Sequence, residues 1–443
     1  MIETHHLERL LLDHLPKQRW FAGGEAAPTS IEIRSATQLS EGWPCALHVI
    51  AEVPAGDGRQ GDRYQLVIGL RPPDEVEVFL EGKGEAHMGD VDTSQGPAHA
   101  YDAVYDPELA LDLLRRVAPD FSAERARVLQ VEQSNTSIVF DERHIMKLFR
   151  RLSAGGNPDV EVTTALSAVG FEGVAGPQAV WQRDGDDLAV VNEFLAGGSE
   201  GFTLALTSLR DLYDRRLPPE ECGGDFAPEA RRIGIVTAKM HLALAEALGA
   251  GDADPRSWSD DMLSQLERLG DVAVDRAAVQ ARYERLAAVT DAGRAIRIHG
   301  DLHLGQVMRT DLGWFVLDFE GEPDRPVEER RRPSSPLRDV AGMLRSFHYA
   351  TEVALRDRGE EVTEELAGLA RAWEDRNGFA FSEGYRAVSG IDDLLPSEEG
   401  CDLVQSAFEL DKAVYEVAYE QAHRPDWVDI PRTAVDRLLS EPG

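Results

Sequence analysis

The stretch His299-Gly-Asp-Leu-His-Leu-Gly-Gln-Val307, followed by Leu317-Asp-Phe-Glu-Gly321, is the most informative part of this 443-residue chain. It places a carboxylate at Asp301, a side-chain amide at Gln306 and a second carboxylate at Asp318, which follows an apolar segment. Each short motif alone is more often a structural turn or strand end. Their combination in one segment indicates a functional site instead.

The sequence between the two motifs predicts how they meet. Thr310-Asp311 is a short polar turn, and Gly313-Trp-Phe-Val-Leu-Asp318 has the composition of a strand that returns from it. This arrangement brings Asp318 back beside the segment that carries Gln306. His299 is predicted to hold the backbone of this loop by hydrogen bonds rather than to transfer protons.

These three polar side chains match the needs of phosphoryl transfer. That reaction depends mainly on positioning a hydroxyl group and on neutralising phosphate charge with metal ions. Asp301 is predicted to be the catalytic base that accepts the proton of the acceptor hydroxyl. Mg²⁺ prefers oxygen ligands and retains several waters, so Asp318 and Gln306 are predicted to be its protein ligands. The sequence thus indicates a phosphotransferase that uses ATP and Mg²⁺.

An upstream segment is the candidate nucleotide-binding half. Residues 127–140 predict a strand, a polar turn and a second strand, and residues 144–149 predict a third strand. The turn is predicted to offer backbone amides and hydroxyls to phosphate oxygens, and its residues are Ser134, Asn135, Thr136 and Ser137. It has no glycine-rich signature, so an ordinary hairpin is an open alternative.

Lys147 lies between apolar neighbours in the third predicted strand. Asn157 is suited to cap a helix that Pro158 opens, which places Glu161 in the first turns of that helix. Lys147 and Glu161 are therefore predicted to form the ion pair that orients the phosphates. The predicted hinge, whose backbone meets adenine, consists of Glu193, Phe194 and Leu195.

Composition restricts the partners and the compartment. The chain has 46 basic and 80 acidic residues, a formal net charge of −34, which argues against binding to nucleic acid or to an anionic membrane. ATP then requires a local positive patch, for which Lys147, Arg150 and Arg151 are candidates. Three cysteines without metal-ligand spacing fit a reducing compartment. With neither a signal-peptide core nor an apolar run of membrane length, a cytoplasmic protein is expected.

The pattern along the chain predicts three regions. An apolar helix and strand-like segments separated by Gly and Pro clusters indicate an α+β cap, residues 1–105. Asp106-Pro107 has the chemistry of a helix start and opens a predicted nucleotide-binding lobe, residues 106–198. Helical patterns dominate residues 199–443, the predicted C-lobe, where apolar residues from Ile233 onward recur on one helix face.

Several longer motifs resemble one known family, the actinobacterial maltokinases. These motifs are Leu15-Pro-Lys-Gln-Arg-Trp-Phe-Ala22, Asp318-Phe-Glu-Gly-Glu-Pro323, Arg338-Asp-Val-Ala-Gly-Met-Leu-Arg-Ser-Phe347, Asp411-Lys-Ala-Val-Tyr-Glu-Val-Ala-Tyr-Glu420 and Arg424-Pro-Asp-Trp427. The resemblance covers nearly the whole chain. It implies ATP-dependent phosphorylation of maltose at its anomeric hydroxyl, giving maltose 1-phosphate for α-glucan synthesis from trehalose.

The resemblance also implies the architecture. It predicts an α+β, two-lobe, protein-kinase-like fold similar to that of aminoglycoside phosphotransferases, with an antiparallel sheet in the N-lobe, a mainly helical C-lobe and an extra N-terminal cap. The small-molecule partners are then maltose and ATP. A monomer is expected, and association with a separate trehalose synthase is left open.

The last long predicted helix is the candidate acceptor pocket. Sugar hydroxyls are held by carboxylates, amides and cations beside an aromatic ring, and Lys412, Glu416 and either Tyr415 or Tyr419 can share one helix face. The alternative is an amphipathic helix whose side chains form salt bridges and pack against the lobe. In the maltokinase family this helix contributes to the disaccharide pocket, and the family motif is matched here at Lys412, Glu416 and Tyr419. His303 is expected to reach a sugar hydroxyl in the same cleft.

Two other functions stay open. A kinase of the same fold that acts on another sugar or an aminosugar, such as glucosamine, would keep the catalytic loop but differ in the last helix. A non-catalytic partner of trehalose synthase should have lost Asp301 or Asp318, and both are present. Competition between sugars and aminosugars separates the first alternative from maltose phosphorylation.

Overall fold

The computed structural model describes residues 2–21, 28–54, 61–76, 80–129, 135–322, 325–359 and 361–440. The chain forms two compact units, one made of Met1–Glu161 and Gly176–Ala196 and the other of Val162–Ala175 and Gly197–Gly443. The first unit contains two antiparallel sheets and the second is mainly helical, which confirms the predicted α+β class. The division into three regions at residues 105 and 198 stays a prediction.

Antiparallel strands dominate the first unit. They are β1 (Glu32–Gln38), β2 (Cys45–Val53), β3 (Asp62–Arg71), β4 (His87–Thr93), β5 (Gly96–Asp102), β6 (Ala126–Leu129), β7 (Asn135–Phe140), β8 (His144–Phe149), β9 (Arg151–Leu152), β10 (Pro177–Arg183) and β11 (Asp186–Glu193). One sheet has the order β1-β2-β3-β5-β4, with β9 paired to β3, and the other has the order β10-β11-β8-β7-β6. Its helices within the described residues include α1 (Thr4–His14), α2 (Pro107–Val117) and α3 (Pro158–Ala168), which continues into the second unit.

Strand β3 shows why the first sheet is apolar on both faces. Leu66 and Ile68 pack into one cluster with Leu7 of α1, whereas Val67, which lies between them, packs into another cluster with Leu109 of α2. Alternate residues of a strand point to opposite faces of its sheet. Each face of this sheet therefore has its own apolar core.

The second sheet corrects one prediction about the nucleotide-binding segment. The prediction that Asn135, Thr136 and Ser137 lie in a turn is wrong, because all three are buried in β7, where Ser137 is directly opposite Lys147 of β8. Their local sequence, Thr-Ser-Ile-Val-Phe, is rich in residues that favour strands. Ser134, the remaining residue of the predicted turn, lies outside the described residues.

Both predicted helix starts are confirmed. Asp106 accepts a hydrogen bond of 3.0 Å from the amide two residues later, and α2 begins at Pro107. Asn157 accepts one of 2.8 Å from the amide two residues later, and α3 begins at Pro158. In each case a side-chain oxygen satisfies an amide that the helix leaves unpaired, and proline supplies a backbone angle that suits the first turn.

Helices make up most of the second unit. They are α4 (Gly201–Arg215), α5 (Ala227–Leu248), α6 (Pro255–Arg268), α7 (Arg276–Leu286), α8 (Val327–Arg330), α9 (Leu337–Arg358), α10 (Glu364–Arg386), α11 (Glu398–His423) and α12 (Asp429–Ser440). The short strands are β12 (Ser199–Glu200), β13 (Ala250–Asp252), β14 (Arg294–Ile296), β15 (Val307–Thr310) and β16 (Gly313–Val316). They form a β12-β15-β16 sheet and a β13-β14 pair. Across the described ranges, no helix has the length and apolar character needed to cross a membrane.

Helices α5 and α10 approach each other through two glycines. A Cβ atom on Gly234 would lie 2.1 Å from the carbonyl oxygen of Phe381, and one on Gly384 would lie 2.1 Å from that of Arg231. Helix backbone cannot yield as a flexible side chain can, so these positions require glycine. The apolar stripe of α5 that includes Ile233 is buried beside this contact.

We expect Gly234→Ala to lower the free energy of unfolding by about 1 to 3 kcal/mol, because the added methyl group must push two packed helices apart. Gly368→Ala is the matched control in α10, where an added Cβ would meet no atom of the described residues within 4 Å. It should stabilise the protein by about 0.5 to 1 kcal/mol through the higher helix propensity of alanine. Urea denaturation of both variants measures the difference, and equal effects would contradict the packing argument.

Candidate active site

Asp339, near the start of α9, holds the beginning of the predicted catalytic loop. Its carboxylate accepts hydrogen bonds from the amides of His299 (2.8 Å) and Gly300 (2.9 Å). His241 of α5 donates to the same carboxylate through Nε2 (3.1 Å), and its Nδ1 accepts from the hydroxyl of Tyr385 (2.8 Å). Burial alone raises the pKa of Asp339, but these donors outweigh it and hold that pKa below its usual value. The loop is thus attached to a buried carboxylate that stays ionised.

The next turns of α9 continue this contact. An added Cβ on Gly342 would lie 2.6 Å from the carbonyl oxygen of Leu302, so the helix and the loop backbone are in close approach. Ser346 then accepts a hydrogen bond of 3.2 Å from the amide of Leu304. Positions 339, 342 and 346 are spaced by three and four residues and therefore share one helix face. That face fixes the loop along its length.

His299 holds the two predicted motifs together. Its Nε2 donates to the carbonyl oxygen of Leu317 (2.8 Å), and its Nδ1 accepts from the amide of Asp301 (3.3 Å). The amide of Leu317 in turn donates to the carbonyl oxygen of Gln306 (2.9 Å). The predicted structural role of His299 is confirmed.

Asp301 carries an ion pair that joins it to the last long helix. The ammonium of Lys412 lies 2.8 Å from Oδ1 of Asp301 and 3.0 Å from Oε1 of Glu322. The other oxygen of Glu322 accepts from Arg325 (2.5 Å) and from Arg338 (3.2 Å). Glu322 is buried, with 4% of its surface exposed. Its bonds to both arginines restrict its position, and this restricts the position of the Lys412 ammonium as well.

The pKa shifts of this cluster follow from its charges. Burial lowers the pKa of Lys412, but the carboxylates of Asp301 and Glu322 outweigh it, so the pKa is raised above its ordinary value. Burial raises the pKa of Glu322, but Lys412, Arg325 and Arg338 outweigh that effect and lower it well below its ordinary value. Both groups are therefore charged at neutral pH.

Gln306 and Asp318 come together as the motif spacing predicts. The amide nitrogen of Gln306 lies 3.5 Å from Oδ2 of Asp318, and turning the amide about its last bond would present its oxygen at the same point. The predicted strand stops at Val316, two residues early, because Asp318 adopts a left-handed conformation with φ of 60°. Such a conformation is uncommon in a non-glycine residue and makes Asp318 a candidate for a functional role.

The donor set at Asp318 suits a divalent cation. Carboxylate oxygens of Asp318 and Glu320 lie within 4.8 Å of each other, and Gln306 adds an amide oxygen. Oxygen donors of this kind are those that Mg²⁺ prefers. Glu320 is thus a candidate ligand that the motif analysis missed, and the assignments of Gln306 and Asp318 as ligands stay predictions.

His303 lies near the base and is partly committed to the loop backbone. Its Nδ1 accepts a hydrogen bond of 3.0 Å from the amide of Gly305, which leaves the proton on Nε2. Burial lowers the pKa of His303, while Asp301 raises it and Lys412 lowers it. A neutral imidazole with an Nε2 proton can donate to a sugar hydroxyl, and this role stays a prediction.

The other predicted acceptor residues lie on α11 beyond Lys412. Glu416 forms an ion pair with the buried Arg345 of α9, in which Nη2 of Arg345 lies 2.5 Å from Oε2 of Glu416. The ring of Tyr419 is stacked on His423 with centroids 4.4 Å apart, and the ammonium of Lys412 lies 5.2 Å from the centroid of the Tyr415 ring. Glu416 thus joins two helices, as the salt-bridged alternative expects. The role of Glu416, Tyr419 and Lys412 in binding the acceptor stays a prediction.

In the first unit, Lys147 is paired with a carboxylate that the sequence analysis did not select. Its ammonium lies 3.3 Å from Oδ2 of Asp159, which is buried in the first turn of α3. Glu161 is exposed and lies two residues further along α3. Its predicted pairing with Lys147 stays a prediction.

The residues of β7 and its neighbours are also engaged inside the first unit. The hydroxyl of Thr136 accepts from Nε of Arg150 (2.8 Å), and Arg150 is buried against Asp102. Arg150 is therefore not part of a surface patch for ATP, because its charge is neutralised within the unit. Arg151 is exposed and bonded to Asp62 (2.6 Å), as expected of a solvated face.

The predicted hinge follows β11. Glu193 is its last, exposed residue, and the amide of Phe194 donates to the carbonyl oxygen of Arg143 (2.8 Å). Gly197 has φ of +69° and turns the chain after Leu195. Because the amide of Phe194 is used within the unit, adenine would have to meet other backbone groups of the hinge.

The arrangement of Asp301, Gln306 and Asp318 is the one that the sequence predicts for a phosphotransferase, and the family comparison supports that class of protein. Residues 126–379 match the family described as the phosphotransferase enzyme family, and residues 14–106 match the maltokinase N-terminal cap domain. The chain therefore belongs to the phosphotransferase enzyme family and carries a maltokinase-type cap, as its motifs predict.

Two relatives are named glucosamine kinases. The protein from Mycolicibacterium smegmatis is 30% identical over 342 residues, which cover 72% of this chain and 81% of the relative. The protein from Streptacidiphilus jiangxiensis is 29% identical over 364 residues, which cover 76% and 78%. A solved structure of a glucosamine kinase in complex with glucosamine, ADP and inorganic phosphate aligns over 99% of this chain and 100% of that chain, with a TM-score of 0.66 and 23% identity. This last likeness establishes the fold.

These findings identify the class of reaction. The chain is a kinase of a sugar or an aminosugar, and ATP with a divalent metal ion is the cofactor set typical of its family.

Proposed function

We propose that this kinase transfers the γ-phosphoryl group of ATP to the anomeric hydroxyl of maltose, giving maltose 1-phosphate and ADP. The maltokinase cap domain supports this acceptor. The observation that carries the proposal is the charge balance near Asp301. Among the described residues, three acidic side chains near Asp301 have cationic partners, namely Glu322 with Lys412, Arg325 and Arg338, Asp411 with Arg325, and Glu416 with Arg345.

Such surroundings favour a neutral acceptor over a cationic one. An aminosugar brings an ammonium group, which needs a carboxylate that is not already paired with a cation. Next to Asp301 it would instead meet the charged ammonium of Lys412, which lies 2.8 Å from the carboxylate of Asp301. Two like charges about 4 Å apart repel by roughly 1 to 4 kcal/mol near a protein surface. A neutral disaccharide instead offers hydroxyl groups that hydrogen-bond to charged partners without repulsion.

The proposed chemistry assigns each group a task. The anomeric oxygen bonds to the γ-phosphorus, the bond from that phosphorus to the ADP oxygen breaks, and the hydroxyl proton passes to Asp301. Gln306 and Asp318 would hold the divalent cation, which neutralises charge on the phosphates. His303, Glu416 and Tyr419 are assigned to binding the acceptor, and Lys412 lies on the same side, where its ammonium contacts Asp301. The product would enter α-glucan synthesis from trehalose.

The ATP side of the proposal draws on the first unit. Lys147, with its buried partner Asp159, would bind the phosphates, and Glu161 keeps its proposed place beside it. Asn135, Thr136 and Ser137 are buried in β7 and are no longer proposed as phosphate ligands. Of the predicted turn, only Ser134 keeps its proposed role, and the hinge of Glu193, Phe194 and Leu195 keeps its proposed role near adenine.

Glucosamine is the second candidate acceptor. The observation in its favour is that both relatives reported above are named glucosamine kinases, at 30% and 29% identity. If glucosamine were the acceptor, its ammonium would have to lie away from Lys412. The two candidates therefore differ in how the acceptor is oriented toward Asp301.

Product identification separates the candidates. The protein is incubated with ATP and Mg²⁺ and with maltose, glucose, glucosamine or N-acetylglucosamine, and the products are identified by phosphorus NMR. We expect maltose 1-phosphate, with kcat/KM for maltose about 10-fold or more above that for glucosamine, since 1.4 kcal/mol corresponds to a factor of ten. Faster formation of a glucosamine phosphate, with maltose acting only as a weak competitor, would replace the proposal with the second candidate.

A further inference from the structure

Lys412 contacts the predicted base directly, which a residue that only binds sugar would not need to do. Its ammonium bonds to Oδ1 of Asp301 at 2.8 Å and to Oε1 of Glu322 at 3.0 Å. The side chain of Lys412 is only 18% exposed. One oxygen of the base is therefore occupied by a cation, and the other, Oδ2, is the one that can face an acceptor hydroxyl.

The position of this ammonium is fixed from behind. Glu322 accepts a hydrogen bond from this ammonium with one carboxylate oxygen, and its other oxygen accepts hydrogen bonds from Arg325 (2.5 Å) and Arg338 (3.2 Å). Arg325 also bonds to Asp411 (3.2 Å), the residue that precedes Lys412 on α11. The carboxylate of Asp411 also accepts a hydrogen bond from the buried hydroxyl of Tyr283 (3.4 Å), which is the last group in this series of contacts. Acidic and basic groups thus alternate from the base into the core of the second unit.

Two successive residues of α9 serve the two sides of this arrangement. Arg338 holds Glu322, and Asp339 holds the backbone amides of His299 and Gly300. The same helix, α9, therefore holds both the backbone of the predicted catalytic loop and, through Glu322, the ammonium that contacts Asp301. Precise placement of a catalytic group requires this kind of support from neighbouring side chains.

We propose that Lys412 is a positioning residue for the base: its ammonium, held by Glu322, fixes Oδ1 of Asp301 so that Oδ2 faces the acceptor hydroxyl. This inference rests on the proposed function only in taking Asp301 as the base, and it applies to any sugar that the enzyme phosphorylates. A misplaced base lowers the rate of the chemical step, whereas a lost sugar contact weakens binding of the acceptor.

The groups around Lys412 keep its side chain positively charged. Asp301 and Glu322 contact it, Glu416 follows one turn later on α11 and adds to the negative charge that it meets, and the ring of Tyr415 lies beneath it. The pKa of Lys412 is raised, so the ammonium is fully present below its ordinary pKa. Its contact with Asp301 is lost only as pH rises above that range, and kcat should have no alkaline limb from Lys412 below about pH 10.

The test removes the charge and then restores it chemically. Lys412→Met keeps the length of the side chain without its ammonium, and Lys412→Cys can be alkylated with 2-bromoethylamine to rebuild an ammonium of nearly the same reach. Lys239→Met, an exposed lysine of α5, is the matched control. The native cysteines are buried, and alkylated wild-type protein controls for their modification. The acceptor is whichever sugar the wild-type enzyme phosphorylates.

We expect Lys412→Met to lower kcat at least 10-fold while KM for the sugar and the affinity for ATP stay within about twofold. Alkylation of Lys412→Cys should restore most of kcat, which shows that the ammonium and not the packing is required. The inference is overturned if KM rises while kcat is kept, or if the alkylated protein stays as slow as the untreated variant although both are folded. Failure of the proposed acceptor would appear separately, in the product formed by the wild-type enzyme.

Discussion

Asp301→Asn is expected to reduce kcat by about 10²- to 10⁴-fold, the range typical of losing a general base. Asparagine has nearly the same shape as aspartate and keeps an oxygen that can accept the hydrogen bond from Lys412, which is 2.8 Å long in the wild-type protein. It cannot take up the proton of the acceptor hydroxyl at neutral pH. The affinity for ATP and the midpoint of thermal unfolding should therefore stay near their wild-type values while turnover falls.

The measurement is the rate of ADP release at saturating sugar, with ATP affinity followed by calorimetry. Asp311→Asn is the matched control, because it is the same chemical change at an exposed position in the turn between β15 and β16. Its kcat should not change. If Asp301→Asn turned over at nearly the wild-type rate, Asp301 would not be the base. Lys412 could then not act by positioning a base, and that proposal would also be wrong.

The parts of the fold that the sequence predicts best are those determined by neighbours along the chain. The start of α3 depends on Asn157 and Pro158, and the strand at 144–149 depends on its own apolar pattern; both are found where predicted. The same holds for the meeting of Gln306 and Asp318, since a short turn and a returning strand fix the distance between them. Local rules suffice when the interacting residues are few positions apart.

The contacts that the sequence did not predict join residues far apart along the chain. Lys412 lies 111 positions from Asp301, and a helical pattern shows which residues share a face without showing what that face will meet. Asp339, Gly342 and Ser346 were part of a quoted motif, yet only the packed structure shows that they line the predicted catalytic loop. Their spacing, with small and polar residues on one face of an apolar helix, was the available signal.

Strand β7 was mispredicted for a related reason. Ser, Asn and Thr are common in turns, and this favoured a phosphate-binding turn at 134–137. Pairing with β8 and burial beneath neighbouring residues outweigh that local preference, so Thr136 bonds to the buried Arg150 instead. Tertiary contacts decide the conformation of short polar segments.

Replacing Asp318 is expected to lower activity by about 10³-fold, which corresponds to about 4 kcal/mol of stabilisation that a metal-binding carboxylate supplies to the transferring phosphates. Gln306 offers a neutral oxygen, so Gln306→Ala should mainly raise the Mg²⁺ concentration needed for half-maximal rate. Excess Mg²⁺ should then restore Gln306→Ala but not the Asp318 variants. Initial rates over a range of Mg²⁺ concentrations measure both effects, and full rescue of the Asp318 variants would remove its assignment as a ligand.

The backbone of Asp318 allows its catalytic role to be separated from a structural one. Its φ of 60° is left-handed, a conformation that costs a non-glycine residue roughly 1 kcal/mol and costs glycine almost nothing. Asp318→Gly should therefore raise the free energy of unfolding by about that amount while abolishing most of the activity, and Asp318→Asn should lose the activity without gaining the stability. A residue kept for folding alone would show the two quantities falling together. Opposite changes in unfolding free energy and in rate, measured on the same Asp318→Gly protein, are expected because the strain is tolerated for the carboxylate that it positions.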